Sequence, residues 1–152
     1  MVEPGAHAAG RRDVTTATPG IASVSGHTIA GVPGRFVLDA RTNHLVSDSR
    51  LGPGESIQAG ELLLSAVVSC AMANFEANAT ELGIPVTSIA VDAEHARGTA
   101  DPTRYEFTRI RVTVRGVAQS AADALGERFV ATCPIYNTIR RGSGAELTVT
   151  AA

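Results

Sequence analysis

The chain has 152 residues, 15 acidic against 13 basic, and a formal charge of −2 at pH 7, and with 44% hydrophobic content it fits one soluble globular domain. Every basic residue is arginine, which excludes a Schiff-base lysine, a Walker-type phosphate-binding lysine and a lysine general base. Only 4% of residues are aromatic and no basic stripe exists, so nucleic acid is not an expected partner, and small aliphatics or a partner subunit must complete the core.

Residues 1 to about 20 mix Gly, Ala, Thr, Pro and paired arginines without periodicity, which predicts a flexible leader ahead of a single domain over residues 21–152. Asp13, Thr15 and Thr16 follow Arg11-Arg12 where a signal peptide would turn apolar. Gly31-Val32-Pro33-Gly34 predicts a turn between a strand around Ala22 to Ala30 and one from Arg35 to Arg41. Thr42-Asn43 then turns the chain into a short strand near His44 to Ser47. Leu51 to Gly60 is a Gly/Pro-rich loop.

Glu61 to Leu82 is rich in Leu and Ala and free of Gly and Pro, with Gly83 and Pro85 beyond it as stop signals, which predicts a long helix. Its first half is apolar on nearly every side, as in a central helix buried all round, and Asn74, Glu76, Asn78 and Glu81 make the second half amphipathic. Its longest apolar run, Leu62 to Ala73, is interrupted by Ser65 and Ser69 and is short for a bilayer span, so no membrane association is expected. The default location is cytoplasmic.

Thr87 to His95 alternates Ile89, Val91 and Ala93 against Ser88, Asp92 and Glu94, and Tyr105 to Arg115 alternates Ile110, Val112 and Val114 against Arg109, Arg111 and Arg115. Both patterns predict half-buried strands, with the arginines on an exposed or dimer-contacting face. Ser120 is a candidate cap, with Asp123 three residues on, for a second helix running through Ala131 and ended by Pro134. Ala145 to Thr150 predicts a last strand. This order is that of an α+β fold with a largely antiparallel sheet.

Two cysteines, Cys70 and Cys133, lie 63 positions apart, which fits neither a secreted disulfide scaffold nor a structural zinc site. Cys70 sits mid-helix among small residues and Cys133 in the last turn of the second helix, and taken singly each reads as a small buried hydrophobe. A thiol of ordinary pKa, about 8.5, is mostly protonated at neutral pH and burial makes it more so. A reactive Cys70 mid-helix therefore needs a guanidinium held by a carboxylate. Asn74, four residues on, shares its helical face and either binds substrate or fills a polar gap between helices. His7, His27, His44 and His95 lack a metal-ligand spacing.

ELLLSAVVSC (Glu61 to Cys70), preceded by the Gly/Pro loop and followed by GIPV at Gly83 to Val86, resembles the signature segment of the OsmC/Ohr family. CPIYNTIRRG (Cys133 to Gly142) resembles that family's second cysteine motif, a Cys-Pro followed by a short polar helical turn. The likeness runs from about Gly34 to the C-terminus. It implies an OsmC-like α+β fold in an intertwined homodimer, with active sites at the subunit interface and the long helices at the dimer centre. It also implies a thiol-dependent peroxidase that reduces organic hydroperoxides or hydrogen peroxide without metal, haem or flavin. Cys70 would be the peroxidatic cysteine and Cys133 the resolving one, their disulfide being reduced by a small dithiol or a dithiol protein.

One position departs from the pattern: the family's activating glutamate, ten residues before the peroxidatic cysteine, is Gly60 here. Glu61 falls on the opposite side of an ideal helix from Cys70 and suits the helix dipole instead, while Glu55 in the preceding loop is a possible substitute. Arg35 is the first candidate for the activating cation, with Arg41 and Arg50 as alternatives. The departure leaves open an OsmC-fold dimer without efficient peroxidase activity, serving as a redox-sensing or small-molecule-binding protein. A purely structural dimerisation module would require both cysteines to be inert.

Overall fold

A computed structural model of the protein describes residues 22–152, so the predicted leader lies outside the described residues. These residues form two compact units, one reaching to Ala59 and one spanning Gly60–Ala152.

The first unit is an antiparallel meander of β1 (Ser25–Thr28), β2 (Arg35–Ala40) and β3 (Asn43–Asp48). β1 is shorter than the predicted strand. The β2–β3 turn is Arg41-Thr42 rather than Thr42-Asn43, because Ala40 and Asn43 close the ladder and Arg41 takes the left-handed conformation at φ 57°. Beyond β3 the Gly/Pro loop folds back on the β1–β2 connection: Ser49 N–H donates to Gly34 O at 2.7 Å. Glycine is required at position 34, where φ is +77° and a Cβ would lie 2.5 Å from the backbone nitrogen of Gly52.

The second unit holds α1 (Ala59–Leu82), β4 (Ser88–Arg97), β5 (Tyr105–Arg115), α2 (Gln119–Thr132), α3 (Pro134–Gly142) and β6 (Gly144–Ala151). Its sheet has the order β4-β5-β6 and is separate from the first, so the strands make two sheets and not one. β4 pairs antiparallel with β5, and β6 pairs parallel with it because the chain crosses over through α2 and α3. Arg109 and Arg111 on the outer face of β5 bond to Glu94, and Arg109 also to Glu146, which makes that face a solvated charge ladder.

The core lies on the other face of this sheet. Ile110, Val112 and Val114 of β5 meet Ala122, Leu125 and Phe129 of α2 and the α1 stripe Val67, Ala71, Phe75 and Ala79. Three rings tie the helices together, Phe75 to Phe129 at 5.7 Å and Phe129 to Tyr136 at 5.1 Å between centroids. The expectation of an α1 buried all round is not met within the chain. The buried residues are the stripe repeating every four residues and Asn78 beside it, and Leu63 and Met72 remain exposed. By length and composition α1 could cross a bilayer, having 24 residues and an 18-residue stretch with a mean hydropathy of 1.3, but its stripe is packed as that of a core helix.

Two helix boundaries differ from expectation for identifiable reasons. α2 begins at Gln119 after Ala118 with no side-chain cap, so Ser120 lies inside it. The Gln119 carboxamide instead donates to Val149 O and accepts from Ala151 N–H, acting as a short surrogate strand along β6. Pro134 not only ends α2 but opens α3 at its first turn, where a missing N–H costs nothing.

Phe75 is fully buried between the helices. Phe75→Ala is expected to lower unfolding stability by about 3–5 kcal/mol in urea titrations; a loss below about 1 kcal/mol would show that α1 is not a core element.

Candidate functional site

The two cysteines lie in one unit and the first-candidate guanidinium in the other. In the second unit, Cys70 stands halfway along α1 and Cys133 occupies the junction of α2 and α3, outside both helices and not in the last turn of α2. The residue before a proline is held out of the α region, and Cys133 accordingly sits extended at φ −73°, ψ 114°. That conformation turns its side chain back over the start of α3, where Tyr136 N–H donates to the sulfur at 3.4 Å. Asn137 braces the junction by donating to the carbonyls of Val130 and Cys133, both at 2.9 Å.

The fold brings the two sulfurs together, 2.7 Å apart. A disulfide bond would need about 2.05 Å, and both cysteines are free thiols. Cys133 is fully buried, whereas Cys70 is half-buried and so the one that a solute reaches. Asn74 Nδ2 donates to the Cys70 carbonyl at 3.1 Å and lies 3.6 Å from its sulfur. Burial pushes the Cys70 thiol up to about 11, helped by its hydrogen bond with Cys133, while the Ile135 N–H and the Asn74 amide pull in the opposite direction. At neutral pH Cys70 therefore rests as a thiol, and it becomes a nucleophile only when something stabilises its anion.

In the first unit, Arg35 is clamped by two carboxylates. Its Nε and Nη2 reach the two oxygens of Asp48 at 2.7 and 3.0 Å, and Nη2 also reaches Glu55 at 3.0 Å. The Asp48 side chain is buried, and its Oδ2 also accepts from the N–H groups of Glu55 and Ser56 at 2.9 and 3.0 Å. It thus anchors the guanidinium and the Gly/Pro loop at once. The Arg35 hydrogen bond holds the Asp48 carboxyl well below the usual carboxylate range, against the opposing effect of burial. Asp48 is not among the residues that the sequence singles out. Its one signal is an aspartate where a strand enters a Gly/Pro loop, a place where Asp side chains bind backbone N–H groups.

The other candidates fall elsewhere. Glu61 is in the first turn of α1, exposed, as a dipole-facing acid would be. Arg41 sits in the β2–β3 turn and Arg50 in an exposed turn after β3. A side chain at Gly60 would have no room, since a Cβ there would lie 2.7 Å from the Tyr105 hydroxyl and 3.2 Å from His95 Nε2. His27 and His44 both face Asp39, yet among the described residues no group of three or more His, Cys, Asp or Glu side chains is arranged to hold a metal ion.

A separate meander followed by a long helix whose mid-helix thiol meets a Cys-Pro junction defines a class of α+β dithiol proteins. The family model for OsmC-like proteins matches residues 52–148, and the chain belongs to that family. The solved structures it resembles include an OsmC-like protein from Mycoplasma pneumoniae, with a TM-score of 0.75 at 14% identity, covering 89% of this chain and 98% of that one. An organic hydroperoxide resistance protein OsmC from Legionella pneumophila gives a TM-score of 0.69 at 18% identity, over 88% and 99% of the two chains. The organic hydroperoxide resistance protein OhrB of Bacillus subtilis gives 0.62 at 15% identity, over 87% and 98%. These likenesses are to the fold. No curated protein matches the chain at a significant level.

Two outcomes follow from the charge states. Iodoacetamide modification of Cys70, followed by peptide mass mapping, should rise with pH towards a midpoint near 11; a plateau by about pH 8.5, the ordinary thiol range, would contradict the burial of that sulfur. For Asp48, the unfolded chain titrates near 3.8 while the folded carboxyl stays ionised well below that, so its stabilising effect is complete above that value, starts to decline below it, and is lost only as pH falls through the lower range where the folded carboxyl takes up its proton. Asp48→Asn should therefore lower the melting temperature most at about pH 7 and by progressively less as the pH is taken down to about 2. Equal losses across that range would mean that the Arg35 pair does not stabilise the fold.

Proposed function

We propose that this protein is a thiol-dependent peroxidase that reduces organic hydroperoxides, and hydrogen peroxide less well. The observation that carries this reading is the contact between a half-exposed sulfur and a buried one in a chain of the OsmC-like family. Solved structures of similar fold carry the name organic hydroperoxide resistance protein, which supports the choice of substrate. Val67, Ala71 and Val130 and their apolar neighbours in the core around the thiols favour an organic over a hydrated peroxide.

In this reading the Cys70 thiolate attacks the distal peroxide oxygen. The O–O bond breaks, the departing alkoxide takes up a proton from solvent to give the alcohol, and Cys70 is oxidised by two electrons to the sulfenic acid. The Cys133 thiol then attacks the Cys70 sulfur, an S–S bond forms and water leaves. A small dithiol or a dithiol protein returns two hydrogens by exchange and is itself oxidised to its disulfide. Arg35 is proposed as the cation that favours the thiolate, with Asp48 and Glu55 fixing the orientation of its guanidinium. No lysine exists to take that part.

We also propose that the working form is a cytoplasmic homodimer. A second copy is the partner that suits α1, whose Leu63 and Met72 are 38% and 40% exposed on a helix otherwise apolar enough for a core. One observation favours a slower, redox-sensing role as a second reading: the Cys70 thiol is pushed up to about 11, which keeps the thiolate scarce at neutral pH.

Reduced protein mixed with cumene hydroperoxide should lose two thiols and two hydrogens per chain, faster than with hydrogen peroxide, and Cys70→Ser should abolish the reaction. Arg35→Met should slow it on the order of 100-fold at a temperature where the variant is still folded, its melting temperature falling because Asp48 loses its partner. Thiols that survive a large peroxide excess would rule the peroxidase reading out, and slow oxidation with no turnover on added dithiol would favour the sensor. Sedimentation equilibrium should give twice the 15.7 kDa chain mass; a monomer at tens of micromolar would contradict the dimer.

A further inference from the structure

We propose that Asn74 is a catalytic residue of the dithiol centre, its carboxamide donating a hydrogen bond to the Cys70 sulfur as that sulfur becomes an anion. The part this plays in turnover rests on the peroxidase reading, but the contact itself does not. Asparagine is a poor choice for the middle of an exposed helix face, since its side chain competes for backbone groups. At position 74, one turn after Cys70 on α1, that competition is directed. One Nδ2 hydrogen bonds to the Cys70 carbonyl at 3.1 Å, and Nδ2 lies 3.6 Å from the Cys70 sulfur, within sulfur hydrogen-bond range.

The orientation of the amide is set on both sides. A flipped carboxamide would face its oxygen against the Cys70 carbonyl oxygen, so Nδ2 must be the atom that points there. The Oδ1 end lies 3.2 Å from the Thr132 hydroxyl on the last turn of α2, a hydroxyl that is also 2.7 Å from the Arg128 carbonyl. Thr132 shares its one hydroxyl proton between these two acceptors, so it positions Asn74 between the two helices only weakly. The Ile135 N–H, in the first turn of α3, also favours the Cys70 thiolate. Among the described residues of this unit, the titratable group that bears on Cys70 is Cys133, whose hydrogen bond favours the thiol form. Asn74 and Ile135 are the groups acting the other way. When Cys70 loses its proton it exchanges a shared S–H for the Asn74 donor already 3.6 Å from it, with the Ile135 N–H acting in the same direction.

The test is iodoacetamide modification of the reduced full-length chain as a function of pH, with Cys70 followed by peptide mass mapping and melting curves recorded for every variant. Asn74→Ala should raise the midpoint by about one pH unit, which leaves about tenfold less thiolate below it and slows modification there by the same factor. Asn74→Asp should slow it further, because a carboxylate then faces the anion, and Thr132→Val should slow it by about threefold through a loosened Asn74. If Asn74→Ala and Asn74→Asp melt like the parent and keep its midpoint and rate within about twofold, the proposal is overturned. If both melt well below the parent, Thr132→Val decides: a slower reaction supports the proposal and an unchanged one overturns it. Iodoacetamide needs no peroxide, so a chain that ignores cumene hydroperoxide yet shows these changes contradicts the peroxidase reading and keeps the role of Asn74. A chain that turns over peroxide without them loses only that role.

Discussion

The contact between the Cys70 and Cys133 sulfurs is the constraint around which the second unit is organised. A helix, α1, supplies one thiol at its midpoint, where neither end of that helix can stabilise a charge on it. The other thiol comes from the single extended residue between α2 and α3, and the proline that follows makes that residue extended. The same kink points the start of α3, with its unsatisfied N–H groups, at both sulfurs. Burial accompanies the meeting of the thiols and suppresses the ionisation of Cys70. A working site must therefore add donors locally, and Asn74 and Ile135 are the groups that do so.

The first unit handles the opposite charge in a related way. Asp48 is buried because its carboxylate is fully used: two bonds to Arg35 and two from the loop backbone leave it no need of water. The loop from Ser49 to Gln58 owes its path to this one side chain and to the close approach of Gly34 and Gly52. In a chain without lysine, a guanidinium fixed by Asp48 and Glu55 is a rigid cation rather than a swinging one.

Much of this is legible in the residues. The boundaries of β5 follow its strict alternation, because Ile110, Val112 and Val114 face a core while Arg109 and Arg111 face solvent. The Leu- and Ala-rich run of α1 and the two cysteine motifs likewise lead to the OsmC-like family, to which the chain belongs. What composition misjudges is how α1 is covered: an apolar run says that a helix wants burial, not that one chain provides it. Ser120 loses its expected capping role because Gln119, bonded along β6, starts the helix two residues earlier than a Ser120 cap would. Asp48 and the orienting role of Thr132 are invisible in the sequence because each depends on a partner 13 or 58 residues away. Local periodicity carries no trace of such pairs.

The reactivity of Cys70 is the central claim, and trapping its first oxidation product tests it most directly. In Cys133→Ser, where no resolving thiol remains, one equivalent of cumene hydroperoxide followed by dimedone should place a single dimedone adduct on Cys70, read by peptide mass mapping. An unmodified Cys70 after that treatment, in a variant that melts like the parent, would contradict the assignment of Cys70 as the residue that attacks peroxide.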